Sequence, residues 1–180
     1  MATTRRVRYQ VAASLDGYIA GPSGEADWIV MDPELDFAAL FAQFDTFLMG
    51  RLTFEAMGSA GQGTVPGMRT VVVSRTLRQA DHPNVTVLAD GWEGAVAALR
   101  AEPGKDIWLF GGGSLFRSAL AAGLVDAVEV AVVPVLLGGG VPLLPPPAGR
   151  APLALTGHRV YERSGIVALE YAVRAAGGAA

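Results

Sequence analysis

Apolar residues recur along this chain in two rhythms. Val7, Tyr9 and Val11 alternate with polar neighbours before the small residues Ala12 and Ala13, which predicts a strand over 6–14. Phe37, Leu40, Phe41 and Phe44 keep a 3-1-3 separation that puts one stripe on a helix, predicted over 33–44 with Pro33 in its first turn. Shorter runs predict strands over 46–49, 70–73, 85–88 and 107–110, and helices over 52–57, 92–101 and 115–122. Residues 127–133 are too continuously apolar for a half-exposed strand and belong inside a sheet. The runs 153–161 and 166–173 each show alternation and are separated by four residues, the pattern of a hairpin.

Glycine and proline fall between these runs. They break both periodicities over 15–31 and 138–147, which are therefore expected to be loops. Strand and helix alternate for about two thirds of the chain before the antiparallel close, so the expected class is α/β, with a mixed, mainly parallel central sheet flanked by helices and a C-terminal antiparallel hairpin. Domain organisation follows from length: 180 residues suit one core, assigned to 1–175, with 176–180 expected as a disordered tail.

Charge and composition narrow the functions. The formal net charge is −3, and Lys and Arg are scattered rather than arrayed, so no basic stripe is available to follow a nucleic acid. Cysteine is absent and the histidines are His82 and His158 alone, which removes thiolate chemistry and sulfur-ligated zinc, and no metal site is expected. No stretch of ~18 uncharged apolar residues occurs, and Tyr9 and Gln10 follow the N-terminal arginines where a leader would need an apolar run. No membrane association is expected, and the expected location is the cytoplasm.

Three predicted strand ends carry phosphate-compatible groups. After 107–110 come Gly111, Gly112 and Gly113, then Ser114 and Leu115 opening a helix; glycines permit close backbone approach, and a helix start offers free N–H groups. After 46–49 come Gly50, Arg51 and Thr53, a guanidinium and a hydroxyl in a first helical turn. After 70–73 come Ser74, Arg75 and Thr76. Each also has a plain structural account: a tight turn for the glycines, an i,i+4 pair of Arg51 with Glu55, and a polar turn at Ser74.

Taken with Ala13-Ser14-Leu15-Asp16-Gly17-Tyr18-Ile19-Ala20, the Gly123-Leu124-Val125-Asp126 segment and Pro134-Val135-Leu136-Leu137-Gly138-Gly139-Gly140, these elements resemble the dihydrofolate reductase-like superfamily. Within it they are most similar to the reductase domain of riboflavin biosynthesis and its stand-alone bacterial relatives, over nearly the whole chain. The resemblance implies a three-layer fold and a reductase that uses NADPH to reduce C=N or C=O in a small heterocycle, pterin- or pyrimidine-like. It assigns Gly50, Arg51, Thr53, Ser74 and Arg75 to the adenosine 2′-phosphate and phosphate bridge. Gly111, Gly112, Gly113, Ser114 and Leu115 are assigned to the pyrophosphate and nicotinamide end, with Ala12 and Ile19 flanking the nicotinamide. Asp16 is the candidate catalytic residue, helping to orient or protonate the reduced atom, although Asp before Gly is also a plain turn former. Asp27 and Trp28 are candidate substrate contacts in a segment that would cover the site, with core packing as the other reading of Trp28.

Two positions depart from the riboflavin-pathway pattern. Phe110 stands where an acidic residue usually precedes the paired glycines, and no lysine is found near Gln10. The first helix offers Glu34 and Asp36 where dihydrofolate reductase faces its pterin with a carboxylate, and both read better as solvated positions. The substrate is therefore left open. That pathway's deaminase partner binds zinc through Cys and His, so the reductase is expected to stand alone, as a homodimer through the run 128–133 and the loop after it. A nucleotide- or pterin-binding protein without turnover, and a purely structural domain whose glycines are only turns, remain alternatives.

Overall fold

The β-branched and aromatic runs assemble into a single eight-stranded sheet in the computed structural model, which describes residues 4–59 and 64–174. The strands are β1 (Val7–Ser14), β3 (Phe44–Gly50), β4 (Arg69–Val73), β5 (Thr86–Leu88), β6 (Asp106–Gly111), β7 (Ala127–Val133), β9 (Leu153–Tyr161) and β10 (Ile166–Val173), with β2 (Tyr18–Ala20) and β8 (Val141–Pro142) forming a separate small pair. The helices are α1 (Phe37–Phe41), α2 (Arg51–Ser59), α3 (Trp92–Ala101) and α4 (Gly113–Ala121). The order across the sheet is β5-β4-β3-β6-β1-β7-β10-β9. The first six are parallel to their neighbours, while β10 runs antiparallel to β7 and β9 antiparallel to β10. Six carboxyl ends thus meet at one edge, where ligands of open α/β sheets bind.

Alternation along β1 divides the interior. Val7, Tyr9 and Ala13 enter a core shared with Val96 and Leu99 of α3 and Leu115, Phe116 and Ala119 of α4. Tyr9 stacks on Phe116 with ring centroids 3.8 Å apart. The opposite face holds an aromatic cluster of Phe44, Phe47 and Trp108, closed over by Leu40 and Phe41 of α1 and by Phe54 and Met57 of α2. Helices on both faces give the three layers expected from the sequence. On the second face Arg8 is buried between β1 and β7, with Nε 2.6 Å from Glu129 Oε1, NH2 2.8 Å from Oε2 and NH1 2.8 Å from Gln43 Oε1. A buried charge pair is tolerated when its hydrogen-bonding groups are satisfied in this way.

Two expectations need correction. The helix expected over 33–44 is reduced to Phe37–Phe41: Asp36 caps it by accepting from Ala39 N at 2.9 Å, and Phe44 belongs to β3. Pro33 precedes it, in a turn closed by Leu35 N donating to Asp32 O at 3.0 Å. The loops 15–31 and 138–147 are not strandless, because Tyr18–Ala20 and Val141–Pro142 pair. The expected tail 176–180 lies outside the described residues. Among the described residues no helix is long and apolar enough to cross a membrane, and no group of three or more His, Asp or Glu could hold a metal ion.

Candidate functional site

Parallel pairing of β3 with β6 sets Met49 opposite Gly111, and this register brings two of the glycine-bearing strand ends together. A Cβ built on Gly50 would lie 3.9 Å from Gly112 N, and Cβ atoms on Gly111 and Gly112 would lie 3.5 and 3.6 Å from Thr53 Oγ1. Gly50, Thr53, Gly111 and Gly112 therefore form one continuous polar surface of backbone and hydroxyl. Gly111 has φ of +142°, a conformation that L side chains rarely adopt, and its peptide to Gly112 is cis. The sharp turn delivers the chain into α4, whose first residues have free N–H groups.

Gly113 serves a different purpose from its neighbours. A Cβ there would come within 2.4 Å of Pro142 O and 2.9 Å of Pro145 Cδ, so the glycine is required by the segment after β7, which seats on the start of α4. Ser114 is exposed, while the Leu115 side chain is buried in the core, which leaves only its backbone N–H for a ligand.

The third strand end lies one strand further along. Ser74 is buried at the end of β4; its Oγ accepts from Thr76 N at 3.1 Å and Leu77 N at 3.0 Å, holding the turn that lifts Arg75 into solvent. Arg75 lines a cleft of about 380 Å³ with Val73, Ser74, Gly91, Trp92 and Ser118 of α4. Sequence reasoning missed the contribution of Gly91 and Trp92, although Asp90-Gly91 before a helical run was a readable turn signal; Gly91 caps α3 with φ of +74°. The cleft has mixed charge, since Asp90 and Glu93 also line it, so an anion must sit on its Arg75 side. Arg75 has no ion-pair partner among the described residues, whereas Arg51 is paired with Glu55 at 2.8 Å and must turn to meet a ligand.

At the end of β1, Asp16 is a clasp. Its Oδ1 accepts from Ser14 Oγ at 2.6 Å and Leu137 N at 3.1 Å, and its Oδ2 from Gly138 N at 2.7 Å. The Ser14 hydroxyl above all, with the Gly138 and Leu137 amides, holds this exposed carboxyl below the ordinary aspartate range. It is ionised at neutral pH and has no proton to give. Asp32, which the sequence did not single out, makes a second clasp: buried, it accepts from Glu34 N at 2.8 Å and Ser164 N at 3.1 Å, fastening the segment before α1 to the β9–β10 hairpin.

The remaining candidates separate. Ile19 packs against the first core, whereas Ala12 lies on the opposite face with Ala131, Ala168 and Trp28, around Val133, Tyr161 and Ile166. Trp28 is half-buried there, donating from Nε1 to Glu25 O at 3.3 Å, so core packing describes it well. Asp27 is exposed and makes no hydrogen bond or ion pair among the described residues. Asp36 is the helix cap described above, and Glu34 pairs at the surface with Arg159 at 3.3 Å.

The arrangement can hold an elongated anionic ligand along the strand ends, from the Arg75 cleft past Thr53 to the glycine turn, with the Ala12 face left for a second molecule. The model of the RibD C-terminal domain family matches residues 5–167. The uncharacterized protein YyaP of Bacillus subtilis is 35% identical over 179 residues, covering 93% of this chain and 94% of its own. A candidate riboflavin biosynthesis protein of Shewanella sp. PV-4 superposes with a TM-score of 0.81 at 26% identity, over 94% of this chain and 99% of its own. Dihydrofolate reductase from Enterococcus faecalis, complexed with NADP(H) and RAB-propyl, has the same fold with a TM-score of 0.65 at 19% identity, over 93% and 94%.

Proposed function

The chain belongs to the RibD C-terminal domain family, and from that membership we propose that it is an NADPH-dependent reductase of a small heterocyclic substrate. The family and fold are those of reductases. The observation that carries the finer reading is the convergence of Gly50, Thr53, Gly111 and Gly112 at one sheet edge, continued by the Ser74–Arg75 cleft.

The residues fit the dinucleotide. The glycine surface has no side chain to keep a pyrophosphate away, α4 presents its N-terminal amides, and the unpaired Arg75 guanidinium suits a 2′-phosphate. Arg51 would leave Glu55 to join it, at little cost because a surface i,i+4 pair contributes only about 0.3–0.5 kcal/mol. NADPH, when bound, supplies the hydride. The protein's own task is then alignment and exclusion of water. Ala12 and Ile19 flank the reacting end, Trp28 closes over the Ala12 face, and Asp16 orients the site through the loop it clasps. Because Asp16 is ionised, the proton is assigned to water held in the site, and Asp16 is a positioning residue.

Titration of NADPH and NADH by quenching of tryptophan fluorescence tests the reading, followed by turnover with dihydrofolate and the riboflavin-pathway pyrimidine. Preference for NADPH by at least about tenfold is expected from the two arginines. Equal affinity for both cofactors would overturn the assignment of Arg51 and Arg75, and NADPH binding with no turnover of any heterocycle would make the protein a binder rather than a reductase.

A further inference from the structure

The last two strands carry an apolar face that lies outside the core. In the β9–β10 register Leu155 stands opposite Tyr171, His158 opposite Leu169 and Val160 opposite Val167, all on the side of the sheet that carries Tyr9. None of these six belongs to a hydrophobic cluster of the interior, and Leu155 and Val160 are 57 and 55% exposed. The nine residues of β9 make this face about 30 Å long, and its two strands make it about 10 Å wide. A contiguous apolar patch of that size, a few hundred Å², marks an interaction site.

Its chemistry fits a second copy of this chain. A two-fold contact sets a face against itself, so fixed charges of one sign would be crowded together. Here they are turned away. Arg159 lies on the other side of the hairpin, over the Tyr161 ring at 4.6 Å, and Glu170 shares that side, with Oε2 3.0 Å from where a Cβ on Gly157 would stand. Two groups on the face titrate. Tyr171 keeps its proton until about pH 10, whereas an imidazole changes charge near pH 6.5. The exposed His158 makes no hydrogen bond or ion pair among the described residues. Its neighbours on the face are Leu169 opposite, Val167 and Tyr171 on the diagonals, and Leu155 and Val160 along β9; β9 is the edge strand and pairs with β10 alone. No carboxylate faces the imidazolium, so excluding water from this face favours its neutral form.

We propose that two copies pair through this face and that His158 makes the pairing depend on protons: neutral imidazoles permit it and charged ones part the copies. The inference is independent of the reductase reading. Because the charged form is disfavoured in the contact, the histidine pKa falls on pairing, and association is full above about pH 6.5 and weakens as the pH drops below it. Two histidines must each lose a proton, so the dimer Kd is expected to rise about hundredfold between pH 7.5 and 5.5, about tenfold for each. Bulk charge predicts the opposite sign. The net charge of −3, counted with neutral histidines, moves toward zero on acidification and would relieve repulsion between copies.

Sedimentation equilibrium of the full chain at pH 5.5, 6.5 and 7.5, at constant ionic strength, tests the proposal, with circular dichroism recorded at each pH. The parent should be paired at pH 7.5 and separate into folded single chains at pH 5.5. His158→Gln removes the titration and keeps a polar side chain, so its Kd should vary by less than about threefold over the range. His158→Arg carries a permanent charge and should be a single chain already at pH 7.5, while His82→Gln should retain the parent's pH dependence. A parent with the same Kd at pH 5.5 and 7.5, or a His158→Gln variant that keeps the hundredfold change, would overturn the switch. So would separation accompanied by loss of the parent's circular dichroism, which would make the transition unfolding. A parent that is a single chain at every pH would give the face to a different partner and overturn the pairing itself.

Discussion

A carboxylate with three donors is a fastening before it is an acid. Asp16 takes hydrogen bonds from Ser14, Leu137 and Gly138, and these favour its ionised form. Because its folded pKa is depressed, the stability it contributes is present above the ordinary aspartate value of about 3.8 and is lost as pH falls below it. Asp16→Asn retains one acceptor oxygen and loses the charge. Turnover is expected to fall by about tenfold through misplacement of the loop, with no change in the shape of the pH–rate profile above pH 5. Disappearance of a titrating limb in the variant would show that Asp16 is the proton donor after all. The sequence revealed Asp16 as a turn former next to glycine but not its partners Leu137 and Gly138, which lie 121 and 122 residues away. Asp32 escaped notice for the same reason, since Ser164 is 132 residues distant.

Among the elements, the longest were legible to the residue, short β5 was legible as an apolar run over 85–88, and the shortest pair, β2 and β8, was not. Helix α3 and strands β7, β9 and β10 have the bounds their patterns predict, because each spans at least seven residues of one rhythm or of one nearly unbroken apolar run. Three-residue β2 and two-residue β8 contain too few positions to show a period. Helix α1 was overextended because Phe44 satisfies the helical stripe while its backbone pairs with Asp106 of β6. Glycines were visible, yet their separate duties were not: Gly111 turns the chain and Gly113 makes room for Pro142 and Pro145. Gly113→Ala is therefore expected to destabilise the fold by about 1–3 kcal/mol, seen as a lower thermal midpoint. Unchanged melting would mean the loop shifts freely. At the ends of β3 and β4, replacing Arg51 and Arg75 together by Ala should raise the Kd for NADPH by at least about tenfold and leave that for NADH nearly unchanged. Parallel losses for both cofactors would place the arginines elsewhere than at the 2′-phosphate.

For the molecule as a whole, the two faces of the sheet are unequally covered. Helices α3 and α4 close the first face over β6 and β1, while its continuation on β9 and β10 carries Leu155, His158, Val160, Leu169 and Tyr171 in register, with no Asp, Glu, Lys or Arg among them. Leu153, Leu155 and Val160 are 42, 57 and 55% exposed. A homodimer, expected from the sequence through 128–133, is better proposed through this face, because Val128 and Val130 are buried within their own chain. A face without carboxylate, lysine or arginine can meet its own copy without opposing fixed charges. Light scattering should give twice the 18.7 kDa mass of the chain, and Leu155→Glu with Val160→Glu should return the single-chain mass. A monomeric parent would remove the proposal.

The segment after β7 ties together parts of the chain that are far apart in sequence. It receives Asp16 at Leu137 and Gly138, pairs Val141 and Pro142 with β2, donates from Leu143 N to Gly17 O at 2.9 Å, and seats on Gly113. During synthesis six of the eight strands of the sheet can emerge and pair while Asp16 and the glycine turn still lack this strap. The site is thus a late product of translation, and nascent chains halted before residue 137 carry the cofactor's strand ends without the piece that sets their geometry.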